Sequence, residues 1–215
     1  MTIIICLPGK SYSATFLLNW TTLVSYCTSK GYNILISQKY SCNIYYVRNM
    51  CLGGNVLNGE NQLPFNGEVK YDYILWIDSD IIFSVEDFEK LLNSNKDIVS
   101  GLYFTENGYH YATVEQFNET FFLENGYFEF LTPATIKSKE ELFPVEYTGF
   151  GFILIKYGVF EKLKYPWFKP EYMKIGNISE FAMEDVSFCL ESKKQGFQIW
   201  INPKVIVGHE KLKIL

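Results

Sequence analysis

Apolar and polar positions recur with two different periods along the first hundred residues. Residues 2–7 form a short β-branched run ended by Pro8-Gly9, which predicts a buried strand and then a loop. Residues 11–30 set Phe16, Leu17, Trp20, Leu23, Val24 and Cys27 on one side at helical spacing, with Gly31 as the stop. Residues 33–37 read as a second strand and residues 44–52 as a second helix, which carries Arg48. Residues 53–67, rich in Gly and Asn, read as a loop. The strongest buried strand is YILWI, residues 73–77. Ser84 then caps a helix with Glu86 and Asp87 in its first turn, and residues 97–104 return as a strand. The order β-α-β-α-β-α-β predicts an α/β fold with a parallel sheet covered by helices.

The second half is more mixed. Residues 109–114 and 127–131 read as short antiparallel strands, and residues 146–155 (EYTGFGFILI) as a strand or bent strand containing Gly149 and Gly151. A short helix over 157–163 leads into an irregular loop over 164–176. Residues 183–195 form a helix that opens on Glu184-Asp185 and stops at Gly196. Residues 198–201 and 205–207 are the last strands, with His209 just beyond. There is no internal repeat and no low-complexity tract.

At 215 residues the chain suits one domain with a sizeable core. A 48% hydrophobic and 20% charged composition is globular. The 18% aromatic share serves a core first, although flat rings also suit sugar C–H faces. A net charge of −5 argues against nucleic acid as a partner, yet an acidic protein can hold a small phosphate ligand through a cation. Five cysteines without a C-x-x-C pair read as free thiols in a reducing compartment. No basic leader and no apolar run of membrane-spanning length is present.

Three groups carry candidate chemistry. Asp78-Ser79-Asp80 follows the buried strand, where ligands bind in parallel α/β sheets. Two carboxylates one residue apart form an oxygen-donor site suited to Mg²⁺ or Mn²⁺, ions that also bind diphosphates. The same aspartates would serve equally as a polar loop or helix cap. Glu184-Asp185 satisfies the helix macrodipole alone, or supplies a general base. His209 is a structural residue or a third metal ligand beside the aspartates.

The ordered set of a β-α-β-α-β half, D-S-D, T-G-F-G, E-D at a helix start and a late His resembles the GT-A-fold glycosyltransferases of the family-2-like inverting type, over nearly the whole chain. A narrower likeness is to the N-terminal glycosyltransferase domain of a large chlorella-virus protein. The resemblance implies a mixed, mostly parallel α/β/α sandwich. It implies one catalytic domain over 1–215, with residues 1–104 binding nucleotide and residues 105–215 serving acceptor and catalysis. It implies a nucleotide-sugar donor, UDP-sugar by default, with Mn²⁺ or Mg²⁺ and a glycan acceptor, in the cytoplasm or a host's cytoplasm. Asp80 would contact the metal directly, His209 would complete its shell, and Asp78 would assist through the ribose or a metal-bound water. Asp185 would be the catalytic base and Glu184 would shape the pocket. Leu7, Pro8, Gly9, Ser11 and Tyr12 would cradle base and ribose, with Ser79 beside them in the D-S-D motif. Arg48 would face the nucleotide, although it reads equally as a solvated helix residue. Gly149, Phe150 and Gly151 would let backbone approach the donor sugar, or mark a bulge.

The His-x-x-Gly-x-x-Lys ending common in the retaining branch is absent after His209, which favours inversion. The chain stops six residues after His209, where family members commonly continue, so a longer multidomain parent is compatible with the resemblance. Two other readings stand beside it. One is a D-x-D phosphatase of the haloacid-dehalogenase type, with Asp78 as nucleophile; that motif wants Thr or Val where this chain has Ile82. The other is a non-catalytic glycan-binding module built on Trp167 and Tyr172.

Overall fold

The computed structural model describes residues 1–211; residues 212–215, at the end of the expected second half, lie outside the described residues. The first half contains β1 (Thr2–Pro8), α1 (Ala14–Ser29), β2 (Asn33–Lys39), α2 (Ile44–Cys51), β3 (Tyr73–Ile77), β4 (Ile81–Ile82), α3 (Val85–Asn93) and β5 (Ile98–Leu102). The second contains β6 (Thr113–Val114), α4 (Glu119–Asn125), α5 (Pro133–Ile136), β7 (Phe143–Val145), β8 (Tyr147–Thr148), β9 (Phe152–Lys156) and α6 (Val159–Lys162). It ends with β10 (Glu171–Ile175), β11 (Ile178–Ala182), α7 (Glu184–Lys194), β12 (Ile199–Ile206) and β13 (Gly208–His209). No described helix is long and apolar enough to cross a membrane.

The central sheet has the order β2-β1-β3-β9-β5-β12-β7. Strands β1, β2, β3, β5 and β12 run one way; β9 and β7 run the other. Alternate residues of each strand feed opposite layers, as the pleat requires. Ile3, Ile5, Leu75 and Ile77 meet Phe16 and Leu23 of α1 and Phe88 and Leu91 of α3. Ile4, Cys6, Ile74 and Trp76 meet Val47 and Cys51 of α2 and Phe188 and Cys189 of α7. Each such large side chain, fully buried, stabilises the fold by roughly 1.5–3 kcal/mol.

The expected elements of the first half form, with one change of order: antiparallel β9 lies between β3 and β5. Ser84 caps α3 in a capping box with Asp87. In the second half, the expected 146–155 strand breaks at Gly149–Gly151 into β8 and β9. Of the expected 109–114 and 127–131 pair only β6 is a strand, and its partner is β8. Leu131 still exchanges backbone hydrogen bonds with Tyr111 and Thr113. Helix α4, unforeseen, begins at Asn118, whose side chain accepts from the Phe121 N–H, and ends at Gly126. The expected loop over 164–176 closes into a β10–β11 hairpin, turned by Gly176 at φ 56°. The two expected last strands merge into β12.

Candidate active site

The site lies at the carboxyl end of β3. There the Ile81 N–H donates to the Asp78 carbonyl at 3.1 Å, closing the D-S-D turn, and the Asp78 N–H donates to the Gly151 carbonyl at 3.0 Å. The loop after β1 packs directly on this turn. A Cβ on Gly9 would stand 2.6 Å from Ser79 Cβ, so only glycine allows the approach. The Tyr12 hydroxyl donates to the Leu7 carbonyl at 3.1 Å and holds the loop closed. Leu7 and Pro8 are buried, and Ser11 is exposed beside them.

Arg48 does not face solvent. It is 3% exposed, its guanidinium 5.1 Å from the ring centre of Phe150 and 5.6 Å from that of Trp76. Nη1 and Nη2 donate to Asp78 Oδ1 and Oδ2, both at 3.0 Å, and Nε donates to Glu184 Oε1 at 3.1 Å. Burial opposes the charge on Arg48, but Asp78 and Glu184 outweigh it and hold the guanidinium firmly protonated. For Asp78, burial outweighs Arg48, and its pKa is raised. Arg48 thus belongs to the frame that ties the D-S-D turn to the start of α7, and its donors are committed there.

Both oxygens of Asp78, which the resemblance sets beside a metal, accept from Arg48. Among the described residues no group of three or more His, Cys, Asp or Glu side chains is arranged to hold a metal. Asp80 and His209, both expected as metal ligands, do come together. Pairing of β13 with β4 sets His209 opposite Ile81, and the Glu210 N–H donates to the Asp80 carbonyl at 2.7 Å. His209 Nδ1 donates to the Phe104 carbonyl at 2.6 Å, which turns Nε2 toward Asp80 Oδ2, 3.1 Å away. A metal-binding imidazole is commonly oriented by such a backbone carbonyl. Lys211 Nζ also donates to Asp80 Oδ2 at 2.7 Å, so a cationic group already occupies that side of the carboxylate. Burial works to raise the pKa of Asp80, but the bonds from His209 and Lys211 outweigh it and hold it at about 2. Burial opposes charge on His209 as well, yet Asp80 and the Phe104 carbonyl raise its pKa.

Asp185 follows Glu184 in the first turn of α7 but has different partners. Its Oδ2 accepts from the Tyr147 hydroxyl at 3.0 Å and its Oδ1 from the Val186 N–H at 2.8 Å. Burial, then the adjacent charge of Glu184, pushes its pKa up to about 6. A half-buried carboxylate of that pKa is ionised at neutral pH and can still take a proton.

The glycines of T-G-F-G make room for Tyr103. A Cβ on Gly149 would lie 2.0 Å from the Tyr103 hydroxyl oxygen, and one on Gly151 2.7 Å from its ring. The Gly151 N–H donates to that hydroxyl at 3.2 Å, and the ring stands edge-on to His209 at 5.2 Å. Phe150 is fully buried against Trp76, Phe168 and Phe188. Gly149→Ala should therefore lose about 2 kcal/mol by overpacking, read as a fall in Tm of roughly 4–8 °C, with Tyr103→Phe recovering part of it. An unchanged Tm would show that Tyr103 moves aside freely.

Tyr103, Tyr147 and Lys211 were not singled out in the sequence. Two glycines in an otherwise bulky run were the one local sign that a large side chain lies against them.

No family model matches the chain, and no curated protein matches it in sequence. Solved structures do match. A197 from STIV superimposes with a TM-score of 0.56 at 16% identity, over 100% of this chain and 97% of that one. GalNAc-T7, solved with UDP, GalNAc and Mn²⁺, gives a TM-score of 0.56 at 11% identity; it matches 99% of this chain, which spans 44% of the GalNAc-T7 chain. The catalytic domain of Drosophila β1,4-galactosyltransferase 7, solved with xylobiose, has a TM-score of 0.47 at 12% identity, over 99% of this chain and 66% of that one. The chain has the GT-A fold, a Rossmann-like α/β sandwich on a mixed, mostly parallel seven-stranded sheet, which it shares with GalNAc-T7.

Proposed function

We propose that the chain is a metal-dependent glycosyltransferase that moves a sugar from a UDP-sugar to an acceptor hydroxyl on a glycan, with inversion. The observation that carries this reading is the Arg48 bridge. It draws the D-S-D turn and the acidic start of α7 into one site, so a donor-holding half and a proton-accepting half share one frame. Asp80 and His209 would hold Mn²⁺ or Mg²⁺ on the donor side. Bound there, a divalent cation neutralises charge developing on the departing diphosphate. The loop from Leu7 to Tyr12, packed on Ser79, would take the nucleoside.

Asp185 takes the proton of the acceptor hydroxyl. The acceptor oxygen forms its bond to the anomeric carbon as the bond to the diphosphate breaks on the opposite face. Tyr147 keeps the carboxylate turned, and Arg48 offsets the adjacent Glu184 charge. The phosphatase reading requires Asp78 as a free nucleophile, and its engagement by Arg48 argues against that role.

The test is thermal stability with UDP-, GDP- and dTDP-sugars, with and without Mn²⁺. A ligand at a hundred times its Kd contributes about 2.7 kcal/mol, so the wild type with UDP-sugar and Mn²⁺ should gain roughly 5–10 °C. Asp80→Asn should lose most of that gain, measured against its own metal-free Tm, which itself falls because the carboxylate bonded to His209 and Lys211 is gone. A gain that persists in Asp80→Asn, or no metal-dependent gain with any donor, overturns the reading.

A further inference from the structure

Asp185 opens onto a cleft of about 310 Å³, walled by α4, the segment after it and the β10–β11 hairpin. Phe122, Phe128, Met173, Ile175 and Phe181 supply much of its surface. A second hollow of about 170 Å³ shares Phe128, Tyr147, Met173, Ile175 and Val186 with the first, and continues to Phe117 and Leu190. The two adjoin along these shared residues as one trench, and the proposed base lines its larger part. Its chemistry is unusually one-sided. Among the lining residues there is no Asn, Gln, Ser, Thr, His, Lys or Arg. The polar groups are the carboxylates of Asp185, Glu180 and Glu146 and the hydroxyls of Tyr127 and Tyr147. Several of these are engaged: the Tyr147 hydroxyl donates to Asp185, the Phe181 N–H donates to Glu180 at 2.7 Å, and Lys193 pairs with Glu146.

A second sugar ring lying in this trench would leave its hydroxyls with few partners, at a loss of about 1–3 kcal/mol for each one stranded. An anionic acceptor would meet carboxylates and no lining cation. An uncharged molecule with one hydroxyl-bearing ring near Asp185 and an apolar body beyond it satisfies both conditions.

We propose that the acceptor is a neutral glycoside with an apolar aglycone, its sugar hydroxyl presented to Asp185 and its aglycone laid along the trench toward Phe117 and Leu190. This rests on the transferase reading for Asp185, but the trench can be tested by binding alone. Matched 4-nitrophenyl and methyl glycosides of glucose, galactose, xylose and fucose would be titrated against the full chain by ligand-observed NMR, without donor or metal. Burying a phenyl-sized group favours at least one 4-nitrophenyl glycoside by about tenfold or more over its methyl counterpart. Leu190→Glu, which sets a charge at the far end of the trench, should reduce that ratio to within about twofold. Phe117→Glu repeats the test at a second half-exposed position, should the first variant fold poorly. Equal binding of matched pairs, no binding by any, or a preference that survives both substitutions in folded protein overturns the proposal. Donor hydrolysis by the wild type with Mn²⁺ is scored separately, so loss of the transferase reading and loss of the trench are told apart.

Discussion

Asp185→Asn is expected to bind nucleotide-sugar as the wild type does, to turn over 10²–10⁴-fold more slowly, and to melt at a higher temperature. The rate follows from losing a general base. The stability follows from linkage. The Asp185 carboxyl titrates at about 6 in the native state against an ordinary 3.8. The native state therefore holds this proton more tightly than the unfolded chain does. Stability tied to the group is full below about pH 4 and is lost as pH rises through 6. At pH 7.5 the ionised carboxylate costs the fold on the order of 2 kcal/mol, and asparagine removes that cost while the Tyr147 hydroxyl turns to accept from its amide. Calorimetry should show a gain of roughly 4–8 °C at pH 7.5 that fades toward pH 4. Wild-type kcat/KM should fall about tenfold per pH unit below 6, since the base must be ionised. Wild-type turnover in Asp185→Asn would remove the assignment, and a lower Tm at pH 7.5 would show that its hydrogen bonds outweigh its charge.

Arg48→Met should produce the largest loss of stability of any single change near the site. It removes the cation shared by Asp78 and Glu184 and leaves two carboxylates facing an apolar surround. Breaking a buried pair in this way typically costs 3–5 kcal/mol, which predicts a fall in Tm of roughly 6–20 °C. Arg48→Lys keeps the charge but loses the fork that donates to both partners, so its fall should be intermediate. Arg48→Met with Asp78→Asn and Glu184→Gln should recover much of the loss, because no charge is then left unpaired. If Arg48→Met melts within 2 °C of the wild type, or the triple variant melts below it, the triad is not the frame described.

The buried strands were legible because β1 and β3 are apolar on both faces, a pattern that local sequence states outright. Ser84 and Gly31 likewise mark helix ends by local chemistry. The role of Arg48 was not legible. A lone Arg in a short helix reads equally as a solvated residue, and its partners lie 30 and 136 residues away. Local pattern alone did not separate Glu184 from Asp185; only the family resemblance gave them different roles. Adjacent residues on a helix diverge by about 100°, so one carboxylate turns inward to Arg48 and the other to Tyr147 and the trench. The strands expected over 109–114 and 146–155 shrink to the two-residue pair β6 and β8 ahead of β9, an extent local sequence could not state because side chains help to set it, as in the hydrogen bond between Thr113 and Thr148 at 3.0 Å.

Strand β9 acts as a keystone in time as well as in space. β3 and β5 are not paired with each other, and β9, which joins them, begins 50 residues after the last residue of β5. A growing chain that has reached residue 104 therefore holds β2-β1-β3 as one ribbon and β5 apart from it, each with a bare inner edge. The Arg48 bridge to Glu184 spans 136 residues, and the Asp80–His209 contact spans 129. Order at the site therefore arrives in stages: the Arg48–Asp78 pair needs only the first half of these residues, and the links to Glu184 and His209 need the second.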